Sequence, residues 1–150
     1  FGRFTKSDMK AKGIKGKPST FSFLGFTFYL SQTKSTGKFT VKLKTDSKKL
    51  NAKMRKASEW LKQVRHNDVK DTIASINRSL RGHYQYYGVS DNIRCMNRLR
   101  KHIIRMLFKV LRSRGNRHRL TWDTYFNKIL KYNPIINPKI YIKLYSDTAY

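Results

Sequence analysis

Apolar residues in the middle of the chain recur every three or four positions, which is the spacing of an amphipathic helix. Three such series span residues 50–64, 69–80 and 93–110. Residues that favour helix ends bound these series: a polar N-cap cluster at 45–47, Asp68, Asp91 and, at the far end, Gly115. A fourth segment begins at Thr121 and continues to about Tyr132. The pattern therefore predicts three or four helices.

The segment before the predicted helices has a different spacing of apolar residues. Residues 21–30 and 38–44 alternate between apolar and polar side chains, as strands with one buried face do. A turn at Gly37 joins them, so the segment predicts a β-hairpin. Gly25 interrupts the first strand, which indicates either a bulge or the close approach of another backbone, including that of a ligand.

The two ends of the chain lack a regular period. Residues 1–20 combine glycine, proline and lysine with few apolar residues, which predicts a loop or connector, with residues 1–4 as the end of a strand. Pro134 and Pro138 prevent regular helix, so we expect an extended segment from residue 133 on. The predicted fold class is mainly α with a small β part. It comprises a loop and β-hairpin region (1–45), a bundle of three or four helices (46–132) and an extended C-terminal tail (133–150).

Charge narrows the choice of partner. The chain has 34 Lys and Arg against eight Asp and Glu, a formal net charge of +26. A compact fold with this charge repels itself, and a polyanion relieves the repulsion because its phosphates release counterions when they meet lysine and arginine. Nucleic acid is the first candidate partner and an anionic membrane the second. The sequence has no run of 18 apolar residues and no signal-peptide core, so we expect no membrane insertion.

The predicted third helix carries a cationic face opposite its apolar face. Six cations follow one another in steps of three or four residues: Arg94, Arg98, Lys101, Arg105, Lys109 and Arg112. Residues 92–122 contain ten Lys or Arg and no acidic residue, so opposite charges within this segment cannot neutralise the face. A charged helix face is often only hydrated, but such a face usually mixes both signs. The stripe therefore favours phosphate binding.

Further candidate nucleic-acid contacts lie on the first two predicted helices. Three lysines form a shorter stripe on the first helix: Lys49, Lys53 and Lys56. On the second helix, Arg81, His83 and Tyr86 lie off the apolar face, where they are candidates for phosphate, 2′-hydroxyl or stacking contacts.

The same segment, RGHYQYYG at 81–88, has a second set of residues with structural roles. Helical spacing places Tyr84 and Tyr87 with the apolar face, where they would hold the bundle together. Gly82 would permit a tight contact between helices, and Gly88 would end the helix. The segment is thus predicted to join the second and third helices.

No catalytic cluster is evident among the acidic residues. Two-metal phosphoryl transfer needs carboxylates that converge on one point, whereas four of the eight acids (Asp46, Asp68, Asp91 and Asp123) stand where helices begin and are explained as caps. Cys95 is the single cysteine and cannot form an internal disulfide, which indicates a reducing compartment. Together with four scattered histidines it offers no zinc-ligand spacing. Asn116 and His118 could suggest a nuclease of the His-Asn-His kind, but no paired metal-binding residues lie near them in the sequence. We expect binding without catalysis, no metal site and no cofactor in this chain.

Several short motifs resemble a single family. They are FLGF at 23–26 after KPST at 17–20, Trp60 with Arg65 and His66, LRGHYQYYGV at 80–89 with Asn92, LTW at 120–122 and PKI at 138–140. In this order and spacing they resemble the C-terminal part of bacterial group II intron reverse transcriptase/maturases over nearly the whole chain. The string at 81–88 is the most specific of these motifs.

The resemblance implies a division of roles. Phe23, Leu24, Gly25 and Phe26 would close the polymerase palm in a primer-grip-like position, and the helices would form the thumb, or maturase, domain. Group II intron RNA and template–primer nucleic acid are the implied partners. Intron splicing and reverse transcription are the implied processes, and the bacterial cytoplasm is the implied location.

One family motif is missing from the sequence. The intact polymerases bind Mg²⁺ through a Tyr/Phe-Ala-Asp-Asp motif that this chain lacks. We therefore expect a fragment without the fingers and most of the palm, not catalytic alone.

Two alternatives stay open at this point. The chain could complete a split RNA-directed DNA polymerase together with a separately encoded fingers and palm region, or it could be a general basic RNA-binding protein.

Overall fold

The computed structural model describes residues 5–13, 19–32, 37, 39–115 and 120–144. The chain divides into two compact units, Phe1–Lys49 and Leu50–Tyr150. The elements in chain order are helix α1 (Thr5–Ala11), strands β1 (Phe21–Phe23), β2 (Phe26–Gln32) and β3 (Phe39–Thr45), helices α2 (Ser47–Gln63), α3 (Val69–Tyr87), α4 (Ile93–Arg112) and α5 (Trp122–Thr124), and a π-helical segment (Tyr125–Leu130). The predicted fold class, mainly helical with a small β part at the N-terminal end, is confirmed.

The β part is an antiparallel sheet in the order β1-β2-β3, one strand more than the predicted hairpin. The predicted first strand is divided because the chain reverses at Leu24 and Gly25. Their φ angles are 49° and 79°, both in the left-handed region that a two-residue type I′ hairpin turn requires. Gly25 is thus a turn residue and not a bulge.

Another backbone does approach Gly25, and it belongs to Asp46. The Asp46 N–H donates to the Gly25 carbonyl at 2.8 Å. The Asp46 carboxylate accepts hydrogen bonds from the N–H groups of Lys48 (2.9 Å) and Lys49 (3.2 Å), which caps α2. Its other oxygen accepts from Ser22 Oγ at 3.0 Å. The hydrogen bond from Lys49 N–H, and to a smaller extent that from Ser22 Oγ, holds the pKa of Asp46 below its usual value. The N-cap predicted at residues 45–47 is thus confirmed.

The prediction of a loop over residues 1–20 is wrong in part, because residues 5–11 form α1. This segment contains Met9 and Ala11, which favour helix, whereas the glycines and the proline that indicated a loop lie outside it. Asp8 stands in the first turn, where the helix dipole favours a negative charge. Residues 1–4, predicted as the end of a strand, lie outside the described residues.

Helices α2, α3 and α4 bury their predicted apolar faces in one core. The buried residues from these helices are Leu50, Met54 and Leu61 of α2, Ile73, Ile76, Leu80 and Tyr84 of α3, and Met96, Leu99, Ile103, Ile104, Leu107, Phe108, Val110 and Leu111 of α4. Helix α4 ends at Arg112, before the predicted Gly115. Its last carbonyls are satisfied earlier, since Ser113 donates to Lys109 O through its N–H and to Val110 O through its hydroxyl.

The predicted fourth helix is in place but changes its hydrogen-bond pattern. Thr121 caps α5 by accepting from Thr124 N–H at 3.2 Å. The helix then continues with π-helical hydrogen bonds, each spanning five residues, as in the bond from Lys131 N to Phe126 O at 3.0 Å. Tyr125 is fully buried and donates its hydroxyl proton to Ile104 O at 3.0 Å, which attaches this segment to α4.

The described part of the C-terminal tail, residues 133–144, is extended and packs against the helices, as predicted. Asn77 of α3 donates to Pro134 O at 2.9 Å and accepts from Ile136 N at 3.0 Å. Arg100 of α4 donates to Ile135 O through Nη2 at 3.0 Å and to Ile136 O through Nε at 3.1 Å. These bonds hold Ile135 in the core, where it is 2% exposed.

The tail also closes over the end of α3. The N–H groups of Tyr141 and Ile142 both donate to Gly88 O, and Ile142 forms a parallel bridge with Val89. A Cβ at Gly88 would meet Tyr84 O and would lie 2.7 Å from Lys139 O. Gly88 therefore permits the close approach of the tail as well as ending the helix. The tight contact predicted at Gly82 is wrong, because a Cβ placed there would meet no described atom within 4 Å beyond its chain neighbours and the backbone of its own helix.

We expect Gly88→Ala and Gly82→Ala to change stability in opposite directions. Alanine at 88 forces the tail or the end of α3 to move, which destabilises the fold by about 1–3 kcal/mol. Alanine at 82 fills open space within a helix and stabilises it by about 0.5–1 kcal/mol. Urea unfolding followed by circular dichroism measures both. Equal effects of the two substitutions would contradict the tail contact at Gly88.

Candidate nucleic-acid interface

The burial of α4 fixes which of its faces meets solvent. Met96, Leu99 and Leu107 are each 0% exposed, so the helix cannot rotate without exposing them. The opposite face carries all six cations of the predicted stripe, each of them exposed: Arg94, Arg98, Lys101, Arg105, Lys109 and Arg112. The structure thus places the predicted stripe on one continuous surface, which we call the α4 face.

Two surface grooves run along the α4 face. The first, of about 590 Å³, is lined by cations of α4 together with Met54 and His102. The second, of about 670 Å³, combines Lys109 with Lys62 and Arg65 from the C-terminal end of α2 and its following turn. Lys62 and Arg65 were not among the predicted contacts. Their cationic character was visible in the sequence, but their position beside α4 depends on helix packing.

His102 holds α4 against α2 beside the first groove. Its Nε2 lies 2.7 Å from Ser58 Oγ and 3.2 Å from Met54 O. Because the Ser58 hydroxyl donates its proton to Met54 O at 3.0 Å, its oxygen accepts the N–H at His102 Nε2. This network joins α2 and α4 beside the groove.

The shorter lysine stripe on α2 divides between two environments. Lys53 and Lys56 line a separate groove between α2 and α3, and Lys53 donates to Ser79 Oγ at 3.1 Å. Lys49 is exposed and belongs to the first compact unit. Lys53 and Lys56 are therefore not among the lining residues of the two grooves along the α4 face.

The tyrosines of the segment 81–88 occupy the positions expected from their spacing. Tyr84 is buried, which raises the pKa of its hydroxyl to about 12, and Tyr87 packs against the core. The Tyr86 side chain is 54% exposed, with its ring edge-on to that of Tyr87 at 4.7 Å between centroids. Arg81 is exposed as well. Contacts of Arg81 and Tyr86 with RNA stay predictions.

His83 lies deeper than an exposed RNA contact would. Its ring packs against Tyr87 with 4.5 Å between centroids, and its buried Nε2 has no hydrogen-bond partner among the described residues. Burial, together with the nearby charge of Lys53, lowers the pKa of His83 to about 4. The imidazole is thus neutral at pH 7. Its predicted role as an RNA contact stays a prediction.

The primer-grip-like residues form the end of the β1–β2 hairpin. Phe23 and Leu24 are exposed, Gly25 completes the turn, and Phe26 begins β2 half-buried. This places two large apolar side chains at a hairpin tip, where they do not contribute to a core.

Asp46, Asp68 and Asp123 accept hydrogen bonds at or near the beginnings of helices. Asp46 and Asp68 cap α2 and α3, and Asp123 accepts from Asn127 Nδ2 at 2.7 Å. The predicted cap at Asp91 is wrong, because Asn92 occupies the N-cap position and Asp91 adopts a φ of 69° just before it. Within the described ranges no three metal-ligating side chains cluster. Asn116 and His118 lie outside these ranges.

Among the described residues, no helix has both the length and the apolar character that crossing a membrane requires.

The helices of the second unit match a known family. The family model of the group II intron, maturase-specific domain matches residues 47–129, from the first residue of α2 into the π-helical segment. Because the match covers more than half of the 150 residues, the chain belongs to this family of maturase domains. No curated protein and no solved structure matches the chain.

The buried histidine predicts a pH dependence of folding. The pKa of His83 is about 4 in the folded chain against 6.5 for an ordinary histidine, so protonation between these values favours the unfolded chain. The stabilising effect of the neutral ring is complete above about pH 6.5 and is lost as the pH falls towards 4. His83→Phe removes this contribution, and its melting temperature should fall less than that of the unchanged protein between pH 7 and 4.

His66→Phe provides the control, since it replaces a histidine that is exposed. Its melting temperature should follow that of the unchanged protein. If the melting temperatures of His83→Phe and of the unchanged protein fall equally between pH 7 and 4, His83 is not buried in its neutral form.

Proposed function

We propose that the chain binds group II intron RNA through the α4 face and helps that RNA keep its splicing-competent fold. In a protein that also has a polymerase palm, the same helices act as the thumb that grips the template–primer. The observation that carries this proposal is the row of six exposed cations on a helix whose orientation is fixed by its buried side. Membership of the maturase domain family supports intron RNA as the partner.

The dimensions of the α4 face suit a phosphate backbone. A helix rises about 1.5 Å per residue, so the row from Arg94 to Arg112 extends about 27 Å and spans several phosphates. Four of its six cations are arginines, whose planar guanidinium groups form paired hydrogen bonds with phosphate oxygens. Each neutralised phosphate releases counterions, which makes the binding depend on salt.

The absence of acids from residues 92–122 distinguishes this face from an ordinary hydrated one. Another helix shows the contrast, since Arg55 and Glu59 of α2 form an ion pair at 3.9 Å across one turn. On the α4 face no acidic residue of its own helix competes with an incoming phosphate. The proposed mechanism is therefore electrostatic clamping, in which the protein contributes binding and no chemical step.

The exposed apolar side chains at the β1–β2 turn support the primer-contact part of the proposal. Phe23 and Leu24 are 60% and 66% exposed. Apolar residues at a hairpin tip lose water when they meet a nucleic-acid end or a protein surface. This part applies to the intact polymerase.

We expect the double substitution Arg98→Glu with Arg105→Glu to weaken intron RNA binding strongly without unfolding the chain. The two side chains point away from the core, and their reversal places negative charge in the middle of the row. The affinity should fall at every salt concentration. The negative slope of log affinity against log salt should become shallower by about 2, one unit per lost phosphate contact. Filter binding at several salt concentrations gives both quantities.

Lys70→Glu with Arg78→Glu is the matched control, because it makes the same change of net charge at exposed positions of α3. It should lower the affinity less than the α4 substitutions. Equal losses for the two double variants would show that only net charge matters, and the α4 face would then have no special role.

If binding is specific, the preference for intron RNA should persist at high salt concentration. Intron RNA should bind more tightly than a random RNA duplex of equal length, and the ratio of the two affinities should grow as salt removes non-specific binding. A competition assay at low and high salt measures this ratio. A ratio near one throughout would indicate a general basic RNA-binding protein instead.

A further inference from the structure

The groove between α2 and α3 differs in chemistry from the two grooves along the α4 face. It encloses about 420 Å³, within the range of roughly 300–1,000 Å³ found for small-ligand sites. Leu61, Ile76 and Ile103 contribute apolar surface, and the half-buried indole of Trp60 lies beside them. The two grooves along the α4 face have no Trp, Tyr or Phe among their lining residues. This groove therefore offers a flat apolar surface that the α4 face lacks.

Polar groups line the same groove. Ser75 and Ser79 belong to α3, and Lys53 and Lys56 belong to α2. The Lys53 ammonium is already positioned by its bond to Ser79 Oγ at 3.1 Å. None of the nine residues that line the groove is acidic. The groove thus combines an apolar surface, two hydroxyls and two positive charges without a negative charge.

These features match the parts of a nucleotide. A nucleobase presents a flat apolar face that stacks on aromatic rings, a polar edge that hydrogen-bonds with hydroxyls, and a phosphate that attracts lysine. A base within a duplex is stacked on both faces and paired at one edge, so it does not enter such a groove. A base from a single-stranded loop or bulge is free to enter.

We propose that the groove between α2 and α3 binds one unstacked nucleotide of single-stranded RNA, with the base against Trp60 and its phosphate between Lys53 and Lys56. This inference rests on the proposed RNA-binding role but uses a surface separate from the α4 face. It assigns Trp60 a binding role in addition to its contact with the core. It also gives the protein a means to distinguish single-stranded from double-stranded segments of a folded RNA.

The fluorescence of Trp60 provides a direct test. The chain has two tryptophans, so Trp122→Phe leaves Trp60 as the one that reports. Phenylalanine at 122 preserves an aromatic ring against Phe108, on which Trp122 stacks at 3.8 Å between centroids. In this background, octauridylate should quench the emission of Trp60, because uridine stacks poorly on itself and presents free bases. An RNA duplex with the same number of phosphates should not quench it.

Two further variants separate the groove from general charge. Ser75→Leu fills the groove without changing charge, and it should weaken the association constant from quenching by roughly tenfold or more. Lys53→Gln with Lys56→Gln should also weaken it. Circular dichroism verifies that each variant is folded. Absence of quenching by octauridylate, or equal quenching in folded Ser75→Leu, would overturn the proposal.

The outcome is separable from that of the proposed function. In the Arg98→Glu, Arg105→Glu variant, intron RNA binding should be weak while octauridylate still quenches Trp60. If the α4 substitutions do not weaken intron RNA binding but Ser75→Leu abolishes quenching, the α4 proposal fails alone. If intron RNA binding depends on the α4 face and octauridylate never quenches Trp60, the groove proposal fails alone.

Discussion

The burial of one side of α4 is the constraint on which the helical unit depends. Eight of its side chains enter the core, and the partners they meet come from α2, α3, the segment after Thr121 and the tail. Removing this surface from water stabilises the fold by an amount that grows with the apolar area buried. The same packing prevents the helix from rotating. The cations on the other side are therefore held in a row by a force that has nothing to do with their own charge.

A chain of net charge +26 must place its cations where they repel one another least or where they have a structural use. Arg100 illustrates the second case. It lies on α4 like the residues of the stripe, but its guanidinium donates to the backbone carbonyls of Ile135 and Ile136. Hydrogen bonds from a charged donor are stronger than those between neutral groups. Arg100 thus fastens the tail to the bundle, while its neighbours on the helix face solvent.

Local periodicity predicted much of this structure. The helices α2 to α4, their buried faces and the exposed stripe all follow from the spacing of apolar residues, because each helix packs one face against a common core. Other features depend on contacts between distant segments. The tail that approaches Gly88, the burial of His83 and the anchoring role of Arg100 require knowledge of which segments meet. Helix α1 does not follow from the sequence pattern, because the glycines and the proline around it dominate the composition of residues 1–20.

Of the two candidate binding surfaces, the sequence predicts one and not the other. The α4 face was visible in the sequence as a row of cations without acids, whereas the groove beside Trp60 was not. Trp60 has the spacing of a core residue, and it does pack against the core. Its contribution to a groove arises because the short side chains Ser75 and Ser79 of α3 lie across from it. Small residues on a neighbouring helix leave this space, and no pattern within α2 reveals it.

Arginine modification in the presence of intron RNA tests the central claim most directly. Phenylglyoxal modifies accessible guanidinium groups, and mass spectrometry identifies the modified positions with and without RNA. The account predicts that Arg94, Arg98, Arg105 and Arg112 become protected in the complex, while Arg55 and Arg78 on other exposed surfaces react as in the free protein. Equal protection of all six arginines, or protection confined to Arg55 and Arg78, would contradict the assignment of the α4 face as the RNA-binding surface.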